Sequence, residues 1–186
     1  ISINIINAAY KNKVKKLFNL GSACIYPKHC KQPIKENYLL TGELEKTNEA
    51  YAIAKIASLK TCEYYNKQLG TKYYSLQPTN LYGENDNFDL NSSHVIPALI
   101  NKFYHAKINN EKSVEIWGSG KATREFMHVD DLAEAIYFLS QKKMSNNVLN
   151  IGTGEEISIR NLAKKICKIS NFKGKIKFNT KLPDGT

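Results

Sequence analysis

Apolar residues recur along this chain at two spacings, and the alternation between them predicts its elements. Ile3, Ile6, Tyr10 and Val14 stand at three- and four-residue intervals, the period of a helix over 3–14, and 15–20 is a short apolar run closed by Gly21. Residues 28–46 are polar and contain Pro33 and Gly42, which reads as a long connection. Thr47 or Asn48 is placed to cap a helix that runs to Gln68 and stops at Gly70. A strand over 72–77 follows, and 78–83 carries the chain off its end into a polar loop through Ser93. Ile96, Leu99, Ile100 and Phe103 share one face of a helix beginning near His94, and 114–117 is a strand ended by Gly118 and Gly120. Leu132, Ala135, Ile136 and Leu139 have helical spacing behind Asp130 and Asp131, either of which can cap. After a strand over 148–151, Gly152-Thr153-Gly154 is a turn, and Ser158 caps a helix with Ile157 and Leu162 as a hydrophobic staple. A last strand over 175–178 precedes a turn at Pro183-Asp184-Gly185. Strands alternating with helices predict an α/β fold with a parallel, helix-covered sheet, whose ligands sit at the loops leaving the strand ends.

Composition narrows the class. The 186 residues are 42% hydrophobic, enough for one ordinary core or two small lobes. Neither a membrane-spanning run nor a signal peptide is visible, which points to a soluble, intracellular, cytoplasmic protein with no membrane partner. The net charge of +10 suits nucleic acid, an anionic surface or phosphorylated small molecules. The lysines are scattered, without a dense basic block or an RNP-like strand, so nucleic acid is not an expected partner. Cys24, Cys30, Cys62 and Cys167 form no C-x-x-C pair, so neither a metal knuckle nor a disulfide frame is indicated and reduced thiols are expected.

The chemistry concentrates in Tyr51 and Lys55, four residues apart in the helix and therefore on one face. An ammonium held close favours the phenolate, and such a pair can deliver a proton to a carbonyl oxygen while a hydride reaches its carbon. Ser22, at the end of the first strand, is a hydroxyl able to steady that oxygen. Taken alone, the spacing is a weak signal and fits an exposed i,i+4 pair better.

The segments Leu20-Gly-Ser-Ala-Cys-Ile-Tyr-Pro27, Tyr51-Ala-Ile-Ala-Lys55, Pro78-Thr-Asn-Leu-Tyr-Gly83, Ser93-His-Val-Ile-Pro97, Trp117-Gly-Ser-Gly120 and Arg124-Glu-Phe-Met-His-Val-Asp-Asp131 occur together and in order. With them the chain closely resembles the GDP-L-fucose synthase family of extended short-chain dehydrogenase/reductases. The resemblance implies a Rossmann-type parallel sheet with helices on both faces, an NADP-binding part formed by 1–82 and 128–151, and a smaller α/β nucleotide-sugar lobe formed by 83–127 and 152–186. It implies NADPH-dependent conversion of GDP-4-keto-6-deoxy-D-mannose to GDP-L-fucose, by epimerisation at two carbons and then ketone reduction. By matching position, Ser22, Tyr51 and Lys55 are the reducing triad, and Cys24 with His94 serve epimerisation. Thiol and imidazole suit that task, since their reference pKa values of about 8.5 and 6.5 bracket neutrality. Leu20, Gly21, Ser22, Ala23, Tyr51, Lys55, Pro78, Thr79, Asn80, Leu81 and His94 match cofactor-contacting positions. Lys102, Trp117, Arg124 and Asp184 match positions that hold the GDP-sugar, and the full-length protein is expected to be a homodimer. No metal is implied.

Three departures stand out: no Gly-x-x-Gly-x-x-Gly segment precedes Ile1, Ala23 replaces a second serine common in the family, and Lys102 stands where arginine is frequent. The chain also stops before the basic segment that normally follows Pro-Asp-Gly. A piece of a longer protein is therefore expected, one that neither binds NADPH tightly nor turns over alone. Two other readings stay open: another nucleotide-sugar 4-epimerase or 4-reductase, which would not need Cys24 with His94, and a non-catalytic basic module. Without the resemblance, Cys24 reads as a small buried filler, His94 as a helix-start residue and Lys102 as an exposed helix lysine.

Overall fold

A computed structural model describes residues 1–90, 92–182 and 184. Its elements run α1 (Ser2–Lys11), β1 (Leu17–Leu20), α2 (Glu49–Leu69), β2 (Tyr73–Pro78), β3 (Asn80–Tyr82), α3 (Val95–Ile108), β4 (Ser113–Trp117), β5 (Thr123–His128), α4 (Val129–Ser140), β6 (Val148–Ile151), β7 (Glu156–Ser158), α5 (Ile159–Ser170) and β8 (Lys175–Asn179). They form two compact units, 1–80 with 130–152 and 81–129 with 153–186.

In the first unit β1, β2 and β6 make a parallel sheet in the order β1-β2-β6, with Leu20 beside Leu76 and Gln77 beside Asn150. This is the Rossmann-like arrangement that the strand-helix alternation predicts. Strand β2 is buried at every position, as a central parallel strand must be. Helix α2 turns Ala52, Ile56, Leu59 and Cys62 inward and ends at Gly70, whose left-handed φ of 66° lets its N–H reach the Asn66 carbonyl. Asn66 also clips the helix to the start of β2: its Nδ2 donates to the Tyr73 carbonyl at 2.7 Å and its Oδ1 accepts from the Tyr73 N–H at 2.8 Å.

Asn48 precedes α2 without a side-chain cap bond, and two other helix boundaries depart from the sequence reading for local reasons. Helix α1 buries Ile6 and Ala9 and leaves Ile3 52% exposed. It ends before Val14 because the Asn12 side chain donates to the Ala8 carbonyl at 2.8 Å and Lys13 takes a positive φ. Helix α4 begins at Val129, so Asp130 and Asp131 lie inside its first turn, where their charge favours the helix dipole. At its other end Lys16 donates to the carbonyls of Ser140 and Lys142.

The second unit pairs β4 with β8 in parallel and builds a further sheet in the order β3-β5-β7, in which β5 and β7 are antiparallel. The α/β fold holds as read, and this antiparallel pair adds a detail that the helix-strand alternation does not give. Strands β3 and β7 are three residues each, too short to carry a periodic signal; β3 falls in a segment that reads as loop and β7 between the 152–154 turn and the cap Ser158. The core gathers Ile96, Leu99, Phe103, Ile116, Ala163, Ile166 and Phe172, with the Phe103 and Phe172 rings 5.7 Å apart. Ile100 departs from the buried face and is exposed, because the inward stripe of α3 runs through Pro97 and Ala106 instead. Residues 152–154 bend after β6, and the Gly154 N–H donates to Glu125 Oε1 at 2.7 Å. The turn read at 183–185 lies largely outside the described residues.

Ser158 caps α5, its Oγ accepting from the Asn161 N–H at 3.2 Å. Ser158→Ala leaves that donor without its partner, and we expect a loss of about 1 kcal/mol in chemical denaturation, the usual worth of an N-cap.

Candidate active site

The chemistry of the first unit gathers where β1 leaves the sheet. Leu20 is the last ladder residue, the Gly21 N–H still donates to the Leu76 carbonyl at 2.7 Å, and the chain then turns through a single 3₁₀ turn, Ala23–Ile25. Ser22 caps that turn: its Oγ accepts from the Cys24 N–H at 3.3 Å. A hydroxyl oxygen that accepts from the backbone keeps its own proton for another acceptor. Ile25 packs with Ile56 and Leu59 of α2, so the same helix that carries Tyr51 and Lys55 is pinned to the turn that carries Ser22 and Cys24.

Helix α2 places Tyr51 in its first turn, 48% exposed, with the Lys55 Nζ 5.5 Å from its ring centroid. The same ammonium donates to the Leu20 carbonyl at 2.9 Å. The anticipated neighbours Leu20, Gly21, Ser22, Tyr51 and Lys55 thus meet at one strand end. Ala23 and Cys24 are exposed on the turn itself. Pro78 ends the parallel neighbour β2 and Thr79 and Asn80 follow it, with the Thr79 N–H donating to the Ile151 carbonyl at 3.0 Å.

One other thiol is of a different kind. Cys62 is buried and burial pushes its thiol up to about 11, so it is a packed, unreactive group, whereas Cys24 faces solvent. Tyr26 is likewise raised, to about 12, by burial and the nearby Glu36 carboxylate. Its hydroxyl donates to Asn150 Oδ1, while Asn150 Nδ2 donates to the Ile34 carbonyl, tying the long connection to β6.

His94, Leu81, Lys102, Trp117, Arg124 and Asp184 belong to the second unit. His94 is the exposed, extended residue at the start of α3. Lys102 donates to the Glu115 carbonyl at 3.1 Å and stands 5.7 Å over the Trp117 ring, which is 61% exposed. This couples two of the four residues anticipated for the GDP-sugar. Arg124 is half-buried on β5 beside Ile157, with Nη1 donating to the Thr123 carbonyl at 2.6 Å. Asp184 accepts from the Ser119 N–H and hydroxyl, which hold its carboxyl below the usual carboxylate range. In this structure it therefore fastens the turn after Trp117. Arg160 supports the same turn, donating to the Ser119 carbonyl at 2.7 Å while stacking 4.0 Å from the Phe178 ring.

Two features were not anticipated. A crevice of about 270 Å³ in the second unit is walled by Tyr82, Phe88, Ile96, Pro97, Ile100 and His128, and no residue anticipated for the site lines it. Gln77, buried in β2, bonds to Ser22, and its signal was a polar amide inside a strand buried throughout. Among the described residues no helix is long and apolar enough to cross a membrane.

Known proteins resemble the chain over nearly its whole length. Residues 1–152 match the model of the NAD dependent epimerase/dehydratase family. A GDP-L-fucose synthase of Sinorhizobium fredii is 52% identical over 98% of this chain and 58% of its own length. One from Escherichia coli is 50% identical over 100% of this chain and 61% of its own. A crystal structure of a GDP-L-fucose synthetase from Naegleria fowleri bound to NADP superposes with a TM-score of 0.94 at 32% identity, covering 100% of this chain and 60% of that one. The chain therefore spans about three fifths of the length of these relatives.

Proposed function

Because this chain belongs to the NAD dependent epimerase/dehydratase family, we propose that it is the part of an NADPH-dependent GDP-L-fucose synthase that carries both sets of proton-transfer groups, acting on GDP-4-keto-6-deoxy-D-mannose. The observation that supports this reading best is the corner at the end of β1, where Lys55 reaches both the Leu20 carbonyl and the Tyr51 ring beside the Ser22 turn. The relatives named GDP-L-fucose synthase, half identical over almost the entire chain, favour the same substrate.

The donor set suits a dinucleotide. Lys55 uses one of its three N–H groups on Leu20 and keeps the others for ribose hydroxyls, next to Gly21 and the β2 exit at Pro78. NADPH held there supplies a hydride to the ketone carbon. Cys24 and His94 move protons at the carbons flanking the ketone; these protons are acidic because the carbanion left behind delocalises onto the oxygen. Tyr51 Oη then gives its proton to the ketone oxygen as the carbon is reduced, so one hydride and one proton convert ketone to alcohol. The Ser22 hydroxyl donates to that oxygen throughout, and the Lys55 charge stabilises the phenolate that Tyr51 becomes. Lys102, Trp117 and Arg124 hold the nucleotide-sugar, Arg124 by paired donors to diphosphate oxygens. Cytoplasmic location and a homodimer belong to the same reading; Ile53 and Tyr64, exposed on α2, supply apolar surface for a second copy.

The direct test supplies a full-length protein carrying this chain with GDP-4-keto-6-deoxy-D-mannose and NADPH. GDP-L-fucose should form with stoichiometric NADPH oxidation, and a product reduced without inversion at the flanking carbons would favour a simple 4-reductase. For Arg124→Ala we expect GDP to bind about tenfold more weakly or worse, from losing roughly 1.5–3 kcal/mol of charged hydrogen bonding. NADPH affinity should hardly move; equal weakening of both in paired titrations would mean structural damage.

A further inference from the structure

Three polar residues are buried in the first unit, and two of them are accounted for at once. Asn19 Nδ2 donates to both Ser58 Oγ and Ser75 Oγ, tying β1 to α2 and β2. The third, Gln77, is 1% exposed and faces the end of β1. Its Oε1 accepts from the Ser22 N–H at 2.9 Å, whereas its Nε2 is buried with no partner among the described residues. Turning the amide over would set NH₂ against N–H, so Ser22 alone dictates its orientation.

The surroundings are shaped to this bond. The ladder between β1 and β2 ends with Gly21 donating to Leu76, which leaves the Ser22 N–H past the last bond of that ladder. Gln77 supplies the acceptor that the sheet no longer offers. A Cβ on Gly21 would lie 1.9 Å from Gln77 Oε1 and 2.5 Å from Cδ, so the glycine leaves the space that the amide fills. Pro78 holds Gln77 in extended backbone, fixing the direction of its side chain. Ala23, where the resembling family commonly has a second serine, offers this turn no hydroxyl.

We propose that Gln77 is the positioning residue of the Ser22–Cys24 turn, an inference that rests on the reading of Ser22 as the group that holds the substrate ketone. Ser22 is then anchored twice, its N–H by Gln77 and its Oγ by the Cys24 N–H, and only its hydroxyl proton remains free to point at substrate. A carbonyl-binding hydroxyl held this way needs no reorganisation when charge develops on the ketone oxygen.

The test compares Gln77→Met and Gln77→Glu in the full-length protein. Methionine matches the length and lacks the acceptor; a glutamate keeps an acceptor oxygen whether or not it is protonated. Gln77→Met should lower kcat for ketone reduction about tenfold or more through the misplaced hydroxyl. KM for the GDP-sugar should stay within about twofold, since the loss belongs to the transition state. Amide hydrogen exchange should rise in 20–25 and nowhere else, and Gln77→Glu should restore both rate and protection. Parental exchange in Gln77→Met would overturn the proposal, as would a loss that spreads across the protein and is not restored by glutamate. Tyr51→Phe, run alongside, separates the two levels: if it still reduces the ketone, the reading of the site fails, while the exchange data decide the anchoring by themselves.

Discussion

Tyr51→Phe in the full-length protein should abolish ketone reduction while leaving GDP-sugar binding nearly intact. Phenylalanine keeps the ring that faces Lys55 and deletes only Oη, so packing in the first turn of α2 is preserved. What is lost is the proton that must reach the ketone oxygen as the hydride arrives, a contribution of about 10²–10⁴-fold in rate for a positioned general acid. Because that interaction strengthens only in the transition state, kcat should fall with little change in substrate affinity. Single-turnover NADPH oxidation with the 4-keto substrate measures it. A Phe variant that oxidises NADPH at the parental rate would remove Tyr51 from the role and take the proposed triad with it.

Cys24→Ser should suppress deuterium uptake from solvent at the carbons flanking the ketone by about 10²-fold or more, since an alcohol is far too weak an acid to trade places with a thiol in proton transfer. Reduction of a ketone supplied already epimerised should continue near the parental rate. Serine is nearly isosteric, and the tie that positions this residue is its backbone N–H on Ser22 Oγ, which the substitution leaves alone. Cys62→Ser is the matched control: that thiol is buried against Ile6 and Tyr73 and should affect stability without touching isotope exchange. Unchanged exchange in Cys24→Ser would sink the epimerase role and leave a reductase of a related nucleotide sugar as the better account.

Local signals in the chain determined much of this molecule. Gly70 ends α2 because glycine takes the left-handed conformation at no steric cost, and Ser158 opens α5 because its hydroxyl satisfies a free N–H; both are properties of single residues and were legible as such. The four-residue spacing of Tyr51 and Lys55 dictated a shared helix face, and the strand-helix alternation dictated a parallel sheet whose loops leave at one end. Tertiary structure decided what spacing could not. The antiparallel pairing of β5 with β7 depends on strands of three residues, too short for any period to reveal, and the early end of α1 depends on an asparagine side chain folding back on its own backbone. Asp184, which the motifs set among the sugar-binding residues, spends its carboxylate on Ser119, 65 positions away in sequence. Gln77 is the clearest case. Its role comes from a parallel register that brings residue 77 against residues 21 and 22, and a buried amide acquires meaning only when the fold reveals which N–H it faces.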